Sequence, residues 1–373
     1  MSDGLVTTDY AAIFLNEAAL LDVRAPVEFA KGAFPTSSNI PLMDDKARHL
    51  VGIEYKEAGQ QSAIELGAKL LPESDRELLV SQWVKHASNN PDGYLYCFRG
   101  GLRSRITQQW LSDAGCDYPI VSGGYKALRQ FLISSLEEHC QSIPFCLIGG
   151  RTGTGKTRLL HRLRHTIDLE GLARHRGSSF GRMVMAQPSN IDFENAISIA
   201  LLKLAQHKPP VVYLEDEARM IGSACIPEAM RKQTQNAPVA ILTTPLNTRV
   251  QFAIEDYVID LLDLYRDHVG VDAGFEAFAN YHRDSLQRVQ KRFGGVRYKQ
   301  ALLLLNTALQ TQQDTGETHD YIAFIEMLLT DYYDPMYDYQ MRAKRDRVVF
   351  TGNASELIAW CSDKTLFENK SVS

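Results

Sequence analysis

Apolar residues in the first third of the chain come in short runs separated by longer amphipathic ones. AALLDV (18–23), YLYC (94–97) and PIVS (119–122) are apolar for a few positions and then stop. RELLVSQWVKHA (76–87) and SRITQQWLSDAG (104–115) instead repeat their apolar positions at helical spacing. Short buried strands alternating with amphipathic helices predict an α/β domain with a parallel sheet. The pattern restarts at PFCLIGG (144–150) and continues through VVYLEDE (211–217) and VAILTTP (239–245). A helix-rich stretch follows over about 250–342, then a strand, RVVFTG (347–352), and a helix around ASELIAW (354–360).

Two domains are therefore expected, and 373 residues exceed what one core organises. The polar segment ISSLEEHCQSIP (133–144) reads as a helix ended by proline and marks the junction. The expected organisation is a domain over 1–135, a linker over 136–144, and a second domain over 145–373 with a helical insertion at about 250–342.

Composition adds limits. With 45% hydrophobic and 23% charged residues, the chain is ordinary globular protein. A net charge of -5 does not announce a nucleic-acid partner, so any such surface must be a local basic patch. The six cysteines form no CxxC pair and no Cys/His cluster with zinc spacing. The start, MSDGLVTTDYAAIF, lacks a basic segment followed by an apolar run, and no stretch nears the roughly 20 apolar residues of a membrane helix. A reducing cytoplasm with unbridged thiols, and no membrane partner, is the expectation.

Two glycine-rich loops carry the candidate chemistry. In CFRGGLRS (97–104), Cys97 leaves a buried strand into a loop where Gly100 and Gly101 allow positive φ. Amides curled around the sulfur, the N-terminus of the following helix, and Arg99 and Arg103 all favour thiolate over thiol. The other five cysteines read as inert. In GGRTGTGKT (149–157), residues Gly150 to Thr157 fit G-x-x-x-x-G-K-[ST] in full. Backbone amides around Gly150, Gly153 and Gly155 would wrap two adjacent phosphates, Lys156 would neutralise them, and the Thr157 hydroxyl would ligate Mg²⁺. The strand VVYLEDE ends in Glu215, Asp216 and Glu217, one of which would complete the metal site. Such a loop recognises a di- or triphosphate and does not name the rest of the ligand. A third segment, DLEGLARHRGSSFG (168–181), sets Glu170 before Arg174, His175 and Arg176 and then small residues, as a candidate substrate loop.

LLDVRAPVEFAKGAFPTSSNIPL (20–42), the Cys97 loop and GCDYPIVSGGYKAL (115–128) resemble the opening, active loop and ending of a rhodanese domain. Arg103 follows Cys97 at a spacing like the Cys-x5-Arg of rhodanese-fold phosphatases, so phosphatase chemistry is a rival for this domain taken alone. The order of parts is rhodanese domain, P-loop, DLEGLARHRGSSFG, then an EDE strand followed by Arg219. In that order the chain resembles the bacterial tRNA 2-selenouridine synthase family along essentially its whole length.

The resemblance implies a rhodanese-like domain followed by a P-loop NTPase-like domain with a helix-rich C-terminal portion. It implies transfer of a geranyl group from geranyl diphosphate to the sulfur of a wobble 2-thiouridine, and replacement of that sulfur by selenium from selenophosphate through Cys97. It implies tRNA as partner and a selenophosphate-supplying enzyme as a further one, with no tightly bound cofactor. Candidate tRNA contacts are Arg283, Arg288, Lys291, Arg292, Arg297 and Lys299, with His282 alongside and Tyr281 and Tyr298 interleaved for stacking. Arg342, Lys344, Arg345 and Arg347 form a second basic cluster. The rival readings are an ATP-dependent kinase with a regulatory rhodanese module, a tRNA sulfurtransferase, and a non-enzymatic tRNA- or persulfide-binding carrier.

Overall fold

The computed structural model describes residues 5–362, so the outer ends of the two expected domains, 1–4 and 363–373, lie outside the described residues. The chain forms two compact units, residues 1–139 with 189–206, and residues 140–188 with 207–373.

In the first unit, β1 (Val6–Thr7), β2 (Leu20–Asp22), β3 (Ser37–Asn39), β4 (Tyr94–Tyr96) and β5 (Ile120–Val121) form a parallel sheet in the order β1-β5-β4-β2-β3. Successive strand residues face opposite sides. Leu20 and Tyr96 pack with Phe14, Leu128 and Leu132. Leu21, Leu95 and Cys97 pack on the other face with Trp83 and Leu111. The Asp-Val-Arg opening serves the fold. Asp22 and Arg24 form a buried ion pair at 2.6 Å, Tyr96 Oη donates to Asp22 at 2.7 Å, and the guanidinium lies 3.9 Å from the Tyr125 ring centre. Removing one partner of such a pair strands the other charge in the core.

Three helices, Asp45–Glu57, Gly59–Leu70 and Glu73–Asn89, connect β3 to β4. The sequence pattern predicts only the last; of the residues in the first two, Ala63 alone is buried. The expected linker at 136–144 is mostly the end of helix Gly124–Ser142, and the units divide inside it, between His139 and Cys140.

The helix Asn190–Ala205 also departs from the expected division. It lies in sequence within the P-loop part but packs in the first unit. Asp192 accepts the Ala33 amide at 2.7 Å, Asn195 donates to the Ala33 carbonyl at 2.7 Å, Arg129 bonds both Asn195 and Glu194, and Leu202 joins the sheet's core. Sequence continuity hides this, because the partners are more than 60 positions away.

In the second unit, β6 (Phe145–Gly149), β7 (Thr166–Ile167), β8 (Val212–Glu215), β11 (Val239–Leu242) and β12 (Val348–Gly352) form a parallel sheet in the order β12-β11-β6-β8-β7. A short antiparallel pair, β9 (Met220–Ile221) and β10 (Ala224–Cys225), stands apart from it. The helical stretch has its own core, built on Phe278, Leu286, Leu305, Tyr321 and Phe324. Neither five-stranded sheet has an antiparallel strand, as βαβ crossovers require.

Candidate functional site

Cys97 is the residue after β4 and is 3% exposed. The turn at 122–123 and the start of helix Gly124–Ser142 hold its backbone. The Tyr125 amide donates to the Cys97 carbonyl at 2.9 Å, and the Lys126 amide to the Phe98 carbonyl at 3.0 Å. The approach is close enough to demand glycine. At Gly124 (φ +56°) a Cβ would stand 2.5 Å from the Gly100 amide and nearer still to the Cys97 carbonyl. Gly100 has φ +62°, whereas Gly101 sits at φ −95°, so the curl expected of both glycines needs only the first.

The two arginines differ. Arg99 is exposed, 6.0 Å from the Phe98 ring centre. Arg103 is half-buried and lies close enough to Cys97 for their charges to interact. Its guanidinium forks onto Glu28 at 2.6 and 3.2 Å, and Glu28 also accepts the Ala25 amide at 3.1 Å. Both arginines are expected to add positive charge beside the sulfur; the ion pair with Glu28 offsets part of that from Arg103. Glu28 belongs to the Glu-Phe pair after the Asp-Val-Arg, a signal visible in sequence but without an assigned partner.

The P-loop follows β6. Gly153 and Gly155 have φ +79° and +81°, and Gly150 turns at φ +153° with Leu242 packed behind it. The helix that follows is short, Lys156–Leu160. Lys156 Nζ donates to the Gly150 carbonyl at 3.0 Å. A buried buttress missed by sequence reading supports the loop. Arg249 is 3% exposed, its Nε donates to the Thr152 carbonyl at 2.9 Å, and its two terminal nitrogens clamp Asp334 at 2.9 and 2.6 Å. These partners lie 97 and 85 positions away, so no local pattern marks them.

Carboxylates crowd this loop. Glu215 ends β8 opposite Ile148 of β6; its Oε2 accepts the Leu169 amide at 3.0 Å, while its Oε1 is buried without a partner. Burial, with Asp168 and Glu170 adding repulsion, pushes its pKa up to about 9. Glu217 is raised to about 8 by burial and by Glu170, against the pull of Lys156. Burial also raises Glu170, which shares a hydrogen bond with Glu217 and accepts from Thr157 Oγ1 at 3.3 Å. The carboxylate beside the Thr157 hydroxyl is therefore Glu170, not Asp216. Asp216 is occupied by Lys344 Nζ at 2.6 and 2.7 Å. Among the described residues no group of three or more His, Cys, Asp and Glu side chains is arranged to hold a metal by itself.

The other members of the candidate substrate loop separate. Arg176 pairs with Asp256 at 2.9 Å and lies over Tyr257. Arg174 caps the helix Leu169–Ala173 in a left-handed conformation and is exposed. His175 is buried, its ring so near Gly181 and Gly222 that a Cβ at either would strike it, and burial lowers its pKa.

The basic run at 282–299 divides between two helices, Val271–Phe293 and Gly295–Thr315, broken at Gly294. Arg283, Lys291, Arg292 and Lys299 are exposed. Arg288 bonds Ser285 and the Ser179 carbonyl, and Arg297 pairs with Asp331 at 3.5 Å. Tyr281, expected to stack on bases, is buried with its hydroxyl on the Phe180 carbonyl, and His282 is buried as well. Both are on the inner face of an amphipathic helix. Tyr298 is partly buried against the same core. In the second cluster Lys344 holds Asp216 and Arg347 bonds the Thr234 and Ala237 carbonyls, which leaves Arg342 and Arg345 outward.

None of the six cysteines forms a disulfide, and no helix among the described residues is long and apolar enough to cross a membrane. Residues 7–130 match the rhodanese-like domain, and residues 143–367 match the tRNA 2-selenouridine synthase AAA domain. The tRNA 2-selenouridine synthase of Marinobacter nauticus is 49% identical over 359 residues, spanning 96% of this chain and 98% of that one. The synthase of Photobacterium profundum is 46% identical over 355 residues, spanning 95% and 97%. That of Alcanivorax borkumensis is 45% identical over 358 residues, spanning 96% and 99%. With a cysteine loop and a complete P-loop joined in one chain, and a likeness that runs nearly end to end, the protein belongs to the tRNA 2-selenouridine synthase family.

Proposed function

We propose that this protein is an enzyme that converts 2-thiouridine in tRNA to 2-selenouridine, and that it works by way of an S-geranyl intermediate. The observation that carries the reading is the presence, in one chain that matches such synthases over nearly its full length, of a glycine-cradled cysteine and a complete phosphate-binding loop.

In the first step the thio sulfur attacks C1 of geranyl diphosphate. The C1–O bond breaks, diphosphate leaves with the electron pair, and the base gives up its N3 proton. Charge builds on the diphosphate as it departs. Amides of Gly150–Thr157 and the Lys156 ammonium are the groups suited to stabilise it. Mg²⁺ fits the donors present, the Thr157 hydroxyl with Glu170 at 3.3 Å, and phosphate oxygens would complete its shell. When bound it would supply further charge neutralisation. ATP has no task in this scheme, because the alkyl diphosphate is already activated.

In the second step selenium from selenophosphate takes the place of the alkylated sulfur at C2. The C2–S bond breaks, geranylthiol leaves, and water takes the phosphoryl group. Alkylation turns a poor leaving group into a good one. Cys97 is the residue on which selenium transfer depends.

The test is Cys97→Ser, which keeps shape but lacks a nucleophile of comparable strength at neutral pH. Selenation should stop and geranylation should survive. Full selenation by the serine variant would refute the role of Cys97. ATP hydrolysis in step with tRNA turnover would favour a nucleotide-dependent enzyme instead.

A further inference from the structure

Two π-helical turns interrupt the helical part of the second unit, Glu255–Ile259 and Leu329–Tyr333. Such turns are rare, cost hydrogen-bond geometry, and occur frequently at functional sites. Both line the same cavity, of about 40 Å³. The first turn contributes Tyr257 and Val258, the second Leu329 and Tyr333. Phe180 and Phe324 are among the other walls. Thr152 of the P-loop and Ser178 of the glycine-rich segment after Glu170 also border it, so the cavity adjoins the phosphate loop.

The cavity is too small for a nucleoside. Thr152, Ser178, Tyr257, His282, Tyr321 and Tyr333 bring polar atoms to its walls, but the surface turned into the space is apolar. His282 is no exception at neutral pH. Its Nε2 bonds the Tyr257 carbonyl at 3.0 Å, and burial lowers its pKa to about 4, so the wall carries no charge there. In size the cavity has room for roughly three waters, about the bulk of one five-carbon unit.

We propose that this cavity receives the far end of the hydrocarbon chain of the diphosphate held by the P-loop, and that its depth sets the chain length at ten carbons. The inference rests on the reading of the P-loop as a site for an allylic diphosphate. The near isoprene unit lies at the Thr152 border and the far unit inside. A five-carbon chain stops short of the walls, and a fifteen-carbon chain overfills them.

The experiment measures equilibrium binding of inorganic pyrophosphate and of dimethylallyl, geranyl and farnesyl diphosphates to the full-length protein and two variants. Ala253→Leu adds bulk at the wall; Phe324→Ala removes it. Wild type should bind geranyl diphosphate at least tenfold more tightly than pyrophosphate. Ala253→Leu should lose about tenfold for geranyl diphosphate and keep its pyrophosphate affinity. Phe324→Ala should move the preference to farnesyl diphosphate, a gain that misfolding cannot mimic, so it decides the matter even where the leucine variant fails to fold. Unchanged chain-length preference in Phe324→Ala would overturn the cavity assignment. Failure of pyrophosphate to compete with geranyl diphosphate in wild type would overturn the P-loop reading beneath it.

Discussion

Gly124→Ala would test whether the start of helix Gly124–Ser142 holds the Cys97 loop in its working shape. Gly124 has φ +56°, and an added Cβ would meet backbone only: the Cys97 carbonyl, the Gly100 amide at 2.5 Å and the Arg99 carbonyl carbon at 3.1 Å. Real Cβ atoms do not approach closer than 3.0 Å, so the Gly100 amide must retreat by about 0.5 Å and the Cys97 carbonyl by more. Left-handed conformation costs alanine roughly 1–2 kcal/mol, which lowers Tm by a few degrees in a unit of this size. Gly123→Ala is the matched control. Its φ is +66°, but its Cβ would crowd the Ala127 side chain rather than the cysteine loop. Both variants share the strain, and only Gly124→Ala displaces Cys97. Since misplacement of a reacting group by about 1 Å can cost 10²-fold, selenation by Gly124→Ala should fall about 10- to 100-fold below that of Gly123→Ala. The assay is single-turnover selenation of pre-geranylated tRNA, read by mass spectrometry of nucleosides. Equal rates in the two variants at matched folded fractions would refute the argument.

Lys156→Ala should depress geranylation by about 10²-fold, the scale of one lost oxyanion donor, while selenation of tRNA supplied already geranylated falls much less; a uniform loss in both steps would count against it. Reversing charge at Lys291 and Arg292, both exposed on Val271–Phe293, should weaken tRNA binding without unfolding the protein, and the salt slope should fall by about one unit for each phosphate no longer neutralised. Unchanged affinity at moderate salt would move the tRNA surface elsewhere. The folded chain holds the Glu217 proton to about pH 8, whereas an ordinary carboxyl loses it near 4.5. The folded state thus binds more protons, and stability should decline from about pH 5 to about pH 8, by at most about 1.4 kcal/mol per pH unit for one such group. Glu217→Gln should flatten that decline in Tm measured across this range, and parallel curves for the two proteins would remove Glu217 as its source.

Local pattern was enough for much of this protein. A strand that ends at Cys97 or Gly149, a glycine where φ turns positive, and a helix after the loop are all decided by neighbours in sequence, so two parallel α/β sheets and both loops were legible. The unassisted residues also placed Glu215 at the end of a strand, and that strand lies beside β6. Partner choice was not legible, because it depends on which distant segments packing brings together. Arg103 and Glu28 are 75 positions apart, Arg249 and Asp334 are 85, and Lys344 and Asp216 are 128. A charge that reads as free in sequence is neutralised once such a partner arrives, as at Arg103 and Asp216. Helix faces tell the same story: Tyr281 and His282 share a basic helix with Arg283 and Lys291 but point into the core, where burial removes them from any tRNA. The helix Asn190–Ala205 carries no mark of its unit, since its apolar face would suit either core; only its bonds to Ala33 and Arg129 decide where it belongs.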